Sequence, residues 1–203
     1  MNKEEKTNKI LCMIFNPLII PTYGLIAMVF LIPYFRLLFI VSKTIVILYC
    51  LSFFFMTFLL PFITIYLMYR KKLIDNLYIE DKEQRYYPLI VTLVYYLIYL
   101  LFFLMKINNP ILTILVLVSV IAICLAILLT YFTKISFYSI SIGTIIGFIF
   151  ILPTMRNIYA IIVVLLIAGI ICSSRLVLNR HNITQIVLGL IVGFVSSFLG
   201  LLF

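Results

Sequence analysis

Residues 110–132, PILTILVLVSVIAICLAILLTYF, run from a proline to an aromatic pair without one charged side chain. About 20 residues of helix cross a hydrocarbon core. The apolar positions show none of the strict two-residue alternation that a membrane barrel strand requires. The stretch therefore reads as a membrane-spanning helix. Working outward, comparable runs occupy about 15–34, 44–68, 87–105, 137–152, 157–173 and 183–203, which with 110–132 makes seven candidate spans. The runs at 137–152 and 157–173 are short, suited to small tilt or a thinned bilayer.

Composition agrees. Of 203 residues, 66% are hydrophobic and 10% charged, with a mean hydropathy of +1.32. That leaves too little polar surface to coat a water-soluble globule. The expectation is an all-α, polytopic transmembrane helix bundle of about 6–7 spans, formed by residues 1–203 as a single integral membrane domain. The opening MNKEEKTNK carries both signs of charge, and the apolar run after it is interrupted by Pro17 and Pro21 with no small-residue cleavage pattern. It reads as a retained first helix, not a signal peptide. Cys12, Cys50, Cys124 and Cys172 lie in apolar stretches without CxxC spacing, so they read as free thiols, with neither a disulfide framework nor a zinc site indicated.

The net charge of +9 comes from 15 Lys and Arg against 6 Asp and Glu. In a membrane chain that excess bears on topology and anionic headgroups, not on nucleic acid. With seven spans, the segments after the second, fourth and sixth share a side with the N-terminus. That side carries all the acidic residues and most of the cations, Arg70, Lys71, Lys72, Lys82, Arg85, Lys134, Arg175 and Arg180 among them, whereas Arg36, Lys43, Lys106 and Arg156 fall opposite. The positive-inside rule makes the crowded side cytoplasmic.

Two runs carry small residues four apart: Ser139, Gly143 and Gly147 in one, Gly189, Gly193 and Ser197 in the other. Such stripes let helix backbones approach closely in lipid. Either the two stripes face each other, bringing the starts of the fifth and seventh spans together, or each faces lipid or another helix.

The polar segment SSRLVLNRHNITQ, residues 173–185, joins the last two runs and holds the chain's only histidine, His181. Guanidinium groups present planar forks of donors matched to phosphate oxygens, and an imidazole can serve as nucleophile or proton carrier near neutral pH. One reading is thus a phosphate site on Arg175 and His181. The other is structural: His181 as an interfacial residue, Arg175 and Arg180 on lipid headgroups, and Asn182 with Gln185 as a capping box.

The order Ser174, Arg175, five residues, His181, three residues, Gln185 resembles the third motif, S-R-x5-H-x3-D, of the type 2 phosphatidic acid phosphatase superfamily, the membrane lipid phosphatases related to vanadium haloperoxidases. Only the final acid differs. The second motif of that family, P-S-G-H, aligns with Ile135, Ser136, Phe137 and Tyr138 behind Lys134, where the serine is kept and a tyrosine replaces the histidine. The first, K-x6-R-P, is matched loosely by KEQRYYP, residues 82–88, with Arg85 in place, Lys82 too close and Pro88 two residues late. The resemblance covers residues 60–203, a six-helix phosphatase-like core, and leaves 1–59 as additional N-terminal helices.

The resemblance implies a lipid phosphate or diphosphate hydrolysed without metal or cofactor. His181 would be the nucleophile that becomes phosphohistidine; Arg175 and Arg85, with Lys82 or Lys134, would hold phosphate oxygens; and Ser136 would add a hydrogen bond. Tyr138 stands where the family's leaving-group acid stands, and Gln185 where its histidine-orienting aspartate stands. A phenol with a pKa near ~10 matches neutral pH less well than imidazole, and a glutamine accepts a hydrogen bond without supplying charge. Two functions follow: a phosphatase acting on a phosphorylated lipid or isoprenoid, or a relative that binds anionic headgroups or a membrane partner without turnover. A bacterial inner membrane is the location the resemblance implies. Bacterial members of the family act on its outer face, opposite to the side that the cation count assigns to these loops.

Overall fold

The computed structural model describes residues 3–76, 83–106, 109–152 and 157–202. Every regular element among them is helical. Five helices are long and apolar enough to cross a membrane: Lys43–Arg70, Glu83–Lys106, Pro110–Phe132, Ile158–Val177 and Ile183–Gly200. A bent pair, Ile20–Leu31 with Pro33–Val41, makes up to six, and Phe137–Ile151 is a shorter apolar helix. Large apolar side chains such as Leu104, Leu128, Leu166 and Phe198 cover the outside, a surface compatible with an integral membrane protein and not with water.

The N-terminal quarter departs from expectation. The run at 15–34 is not one helix: α1 (Lys3–Ile14) ends before it, and α2 (Ile20–Leu31) is followed after one residue by α3 (Pro33–Val41) at 86°. Prolines set both breaks. Pro21 sits in the first turn of α2, where its missing N–H costs nothing. Pro33 forces the preceding Ile32 out of the helical region, to φ −95° and ψ 120°.

The next span runs unbroken from α4 (Lys43–Phe53) through a π-helical turn (Phe54–Leu59) into α5 (Leu60–Arg70). The π turn lies just before Pro61, which has no N–H to offer the Thr57 carbonyl four residues back. The Tyr96 hydroxyl donates to that carbonyl instead, at 3.3 Å. Tyr96 belongs to α6 (Tyr86–Lys106), which is tied to the same span by Ser52–Tyr99 and Thr64–Tyr95 hydroxyl pairs at 2.8 and 2.9 Å. Phe53, Tyr99 and Phe103 meet edge to face beside them, with centroids 4.9–5.7 Å apart.

After α7 (Pro110–Phe132) come α8 (Phe137–Ile151), α9 (Ile158–Val177) and α10 (Ile183–Gly200). Helices α8 and α10 form the most extensively packed pair, and the two small-residue stripes are the surfaces that meet. A Cβ at Gly143 would stand 2.5 Å from the Leu190 carbonyl oxygen, and one at Gly147 would stand 2.6 Å from Ser197 Cβ. At Gly193 a Cβ would fall on the Ile140 carbonyl. Ser197 Oγ donates across the seam to the Thr144 carbonyl at 2.8 Å. The approach is backbone to backbone, as small-residue stripes allow, and it fixes the start of α8 beside the start of α10.

Candidate functional site

The loop that carries His181 is held at both ends by its own sequence. Helix α9 closes with Asn179 in the left-handed region, φ 50°, a conformation that asparagine tolerates better than most residues. The Asn179 N–H then bonds the Leu176 carbonyl and the Arg180 N–H bonds that of Arg175, at 2.9 and 3.1 Å, the paired bonds of a Schellman ending. Helix α10 opens with a capping box between Asn182 and Gln185. His181 lies between these stops, so its position follows from two local motifs.

Gln185 Oε1 accepts from the Asn182 N–H at 3.2 Å and lies 3.1 Å from His181 Nδ1. The backbone donor requires the oxygen of the amide on that side. Nδ1 therefore carries the proton that it shares with Gln185, and the Nε2 lone pair is left unprotonated. One Gln185 oxygen thus caps the helix and orients the ring.

Arg175, in the last turn of α9, is buried and reaches over the Tyr138 ring, with its guanidinium carbon 4.4 Å from the centroid. Its Nη1 points at Cys12 Sγ, 3.6 Å away, while its buried Nε has no hydrogen-bond partner among the described residues. Arg85 ends a 3-10 turn (Glu83–Arg85) that leads into α6. It is 5% exposed, donates from Nη1 to the Ile135 carbonyl at 3.2 Å and lies 5.3 Å from the Phe137 ring centre. Three segments distant in sequence thus bring Arg85, Tyr138, Arg175 and His181 to one place.

Burial, then the Arg175 charge, with smaller effects from Arg85 and Lys134, pulls the His181 pKa from its usual 6.5 down to about 4, against the opposing Gln185 hydrogen bond. The imidazole is neutral at physiological pH. Between pH 6.5 and 4 the unfolded chain binds a proton that the folded site refuses, so stability falls as the pH drops through that window. The loss is on the order of 2 kcal/mol once screening is allowed for. As the chain's only histidine, His181 gives unambiguous ring resonances. In isotope-labelled protein without a histidine tag, they should titrate near pH 4, and Arg175→Met should move the midpoint upward. A wild-type midpoint at 6.5 would show that the ring is solvated and uncoupled from the cations.

The other expected site residues have different placements. Ser136 is fully buried as the N-cap of α8, its Oγ accepting from the Ser139 N–H at 3.4 Å. It holds the helix start and does not line the cavity described below, so its hydroxyl shapes the site from behind. Lys134 acts on His181 through its charge but stands outside the cavity lining. Lys82 lies outside the described residues. The Tyr138 hydroxyl donates to the Cys12 carbonyl of α1 at 3.2 Å. Sequence reading missed Cys12, which meets both Tyr138 and Arg175; nothing in KILCMI marks it, because both contacts are tertiary.

These groups form the polar end of a cavity of about 540 Å³. Arg85, Arg175, His181 and Tyr138 stand at that end, and Pro17, Phe58, Phe62, Leu89, Ala122 and Ile140 are among the apolar walls. Among the described residues no Asp or Glu lines it, and no group of three His, Cys, Asp or Glu is placed to hold a metal ion. The arrangement offers an anion a cationic, water-poor end and offers hydrocarbon the remainder. No protein-family model, curated protein or solved structure matches the chain.

Proposed function

We propose that this chain is a membrane-embedded phosphatase of the type 2 phosphatidic acid phosphatase kind, with its six-helix core in residues 60–203, acting on a lipid phosphate or diphosphate. The observation that carries the reading is the meeting of Arg85, from the turn before α6, with Arg175 and His181, from the last turn of α9 and the α9–α10 connection, at the polar end of an apolar cavity. The guanidinium groups hold phosphate oxygens. His181 Nε2 attacks phosphorus in line, the P–N bond forms as the bond to the leaving oxygen breaks, and water then hydrolyses the phosphohistidine.

The weak point of that sequence is the proton for the leaving group. With the Tyr138 hydroxyl donating to the Cys12 carbonyl and no carboxyl group among the described lining residues, an alkoxide would leave unassisted. A phosphate needs no such help, since its second pKa is near ~6. The site therefore favours a diphosphate, cleaved between its phosphorus atoms. The same observation supports a second reading, in which headgroups are bound without turnover.

One experiment separates these. Protein reconstituted in nanodiscs is expected to release inorganic phosphate from a long-chain prenyl diphosphate at least about 10²-fold faster than from the matching monophosphate, the lower range of what a general acid contributes. Equal rates would mean that a proton donor has been overlooked. Binding of both with release from neither would establish the non-catalytic reading.

A further inference from the structure

A second cavity, of about 340 Å³, lies between α2, α7, α8 and α9 in the half of the bundle away from His181. Its lining is almost wholly apolar, including Ala27, Leu31, Phe148, Ile149 and Val163. Ile20, Pro21, Ser119 and Thr144 line both this cavity and the first, so the two adjoin at these side chains. The polar side chains at that neck make no demand on an occupant: Ser119 Oγ donates to the Leu115 carbonyl at 2.9 Å and Thr144 Oγ1 to that of Ser141 at 2.6 Å.

We infer that the two cavities form one internal channel for a phosphorylated amphiphile with a single long hydrocarbon tail, held inside the protein instead of in the surrounding bilayer. The inference rests on the phosphate reading of the site and adds where the tail goes. Arg175 and Ala160, near the two ends of the channel on α9, are separated by about 22 Å of helix at 1.5 Å per residue. One leaflet of a hydrocarbon core about 30 Å thick offers roughly 15 Å. A channel deeper than one leaflet suits a chain longer than those of ordinary membrane lipids. The charge is complementary as well, with the orphaned, buried Arg175 Nε at one end and, among the described residues, no charged side chain in the far cavity's lining.

Gly24 provides the test. It lines the far cavity, lies inside α2 without a positive φ, and a Cβ there would meet only Leu115 Cδ1, at 3.8 Å. Gly24→Leu therefore fills the channel without opposing the helix. The probe is a long-chain alkyl phosphate with a terminal diazirine, photolysed in nanodiscs at fixed mole fraction of lipid, with labelled peptides found by mass spectrometry. Label is expected on 27–31 and 160–164. Gly24→Leu should weaken that labelling about tenfold, as expected for the loss of roughly two buried methylenes, and leave a short-chain phosphate bound as in the wild type. Label confined to outward residues such as Leu165, Leu166 and Phe198, unaffected by Gly24→Leu, would overturn the channel. Equal labelling by the matching long-chain alcohol, unchanged by Arg175→Met, would overturn the phosphorylated occupant and place the failure in the phosphate reading itself.

Discussion

Exchange of His181 for asparagine is expected to lower phosphate release from a prenyl diphosphate by at least about 10³-fold, with affinity for a non-hydrolysable phosphonate analogue changed little. Loss of a nucleophile in a concerted catalytic group can cost ~10⁶ in kcat. The smaller figure allows for water attacking a phosphate still held by Arg85 and Arg175. The asparagine side-chain NH2 can donate to Gln185 Oε1, so the capping box that opens α10 is expected to survive. Loss of release with retained binding would separate attack from recognition. Labelled enzyme quenched in base should carry phosphohistidine in the wild type and none in the variant. Cys12 is the neighbouring nucleophile that could confuse this result, because its sulfur is 3.6 Å from Arg175 Nη1. Its thiol serves here as a hydrogen-bond acceptor, so Cys12→Ser should keep most of the turnover. Release within tenfold of wild type in His181→Asn would sink the assignment and turn attention to Cys12 or to water.

Hydrophobic run length locates helices because lipid leaves backbone groups no other partner. Counting spans then places the loops around Arg85, Lys134 and His181 on one side, and the side-chain contacts bring them together. The stripes of Gly143 and Gly193 are legible in the sequence as capable of close approach, and tertiary packing sets them against each other. The capping box at Asn182 was legible because it is local. The 86° bend between α2 and α3 at Pro33 was not, and the run at 15–34 reads as one span. A proline tells where a helix breaks and leaves the direction of the next helix to tertiary packing. The part that α1 plays was hidden entirely. Cys12 reaches Tyr138 across 126 residues and Arg175 across 163, distances at which no periodicity carries information. Its arrival changes what the site can offer, since the Cys12 carbonyl accepts from the Tyr138 hydroxyl.

The second large effect concerns the seam that makes this convergence possible. Gly193→Leu is expected to unfold or separate the α8–α10 pair, costing about 3 kcal/mol or more, at or above the upper range for overpacking. The reason lies in what a Cβ would strike: the Ile140 carbonyl oxygen, and the Thr144 nitrogen and Gly143 carbonyl carbon at 2.7 and 2.8 Å. These are backbone atoms of a helix and cannot swing aside as a side-chain terminus can. Separation would move Tyr138, on α8, away from Gln185, on α10, so vanadate binding should fail together with thermal stability in detergent. A control comes from the same chain. A Cβ at Gly169 in α9 meets nothing within 4 Å, and glycine inside a helix costs roughly 0.5–1 kcal/mol relative to alanine. Gly169→Ala should therefore leave stability unchanged or raise it slightly, with vanadate binding intact. If Gly193→Leu melts with the wild type and still binds vanadate, the α8–α10 seam is not what assembles the site. If Gly169→Ala is as damaging as Gly193→Leu, the sensitivity belongs to glycine in these helices generally and not to the close approach.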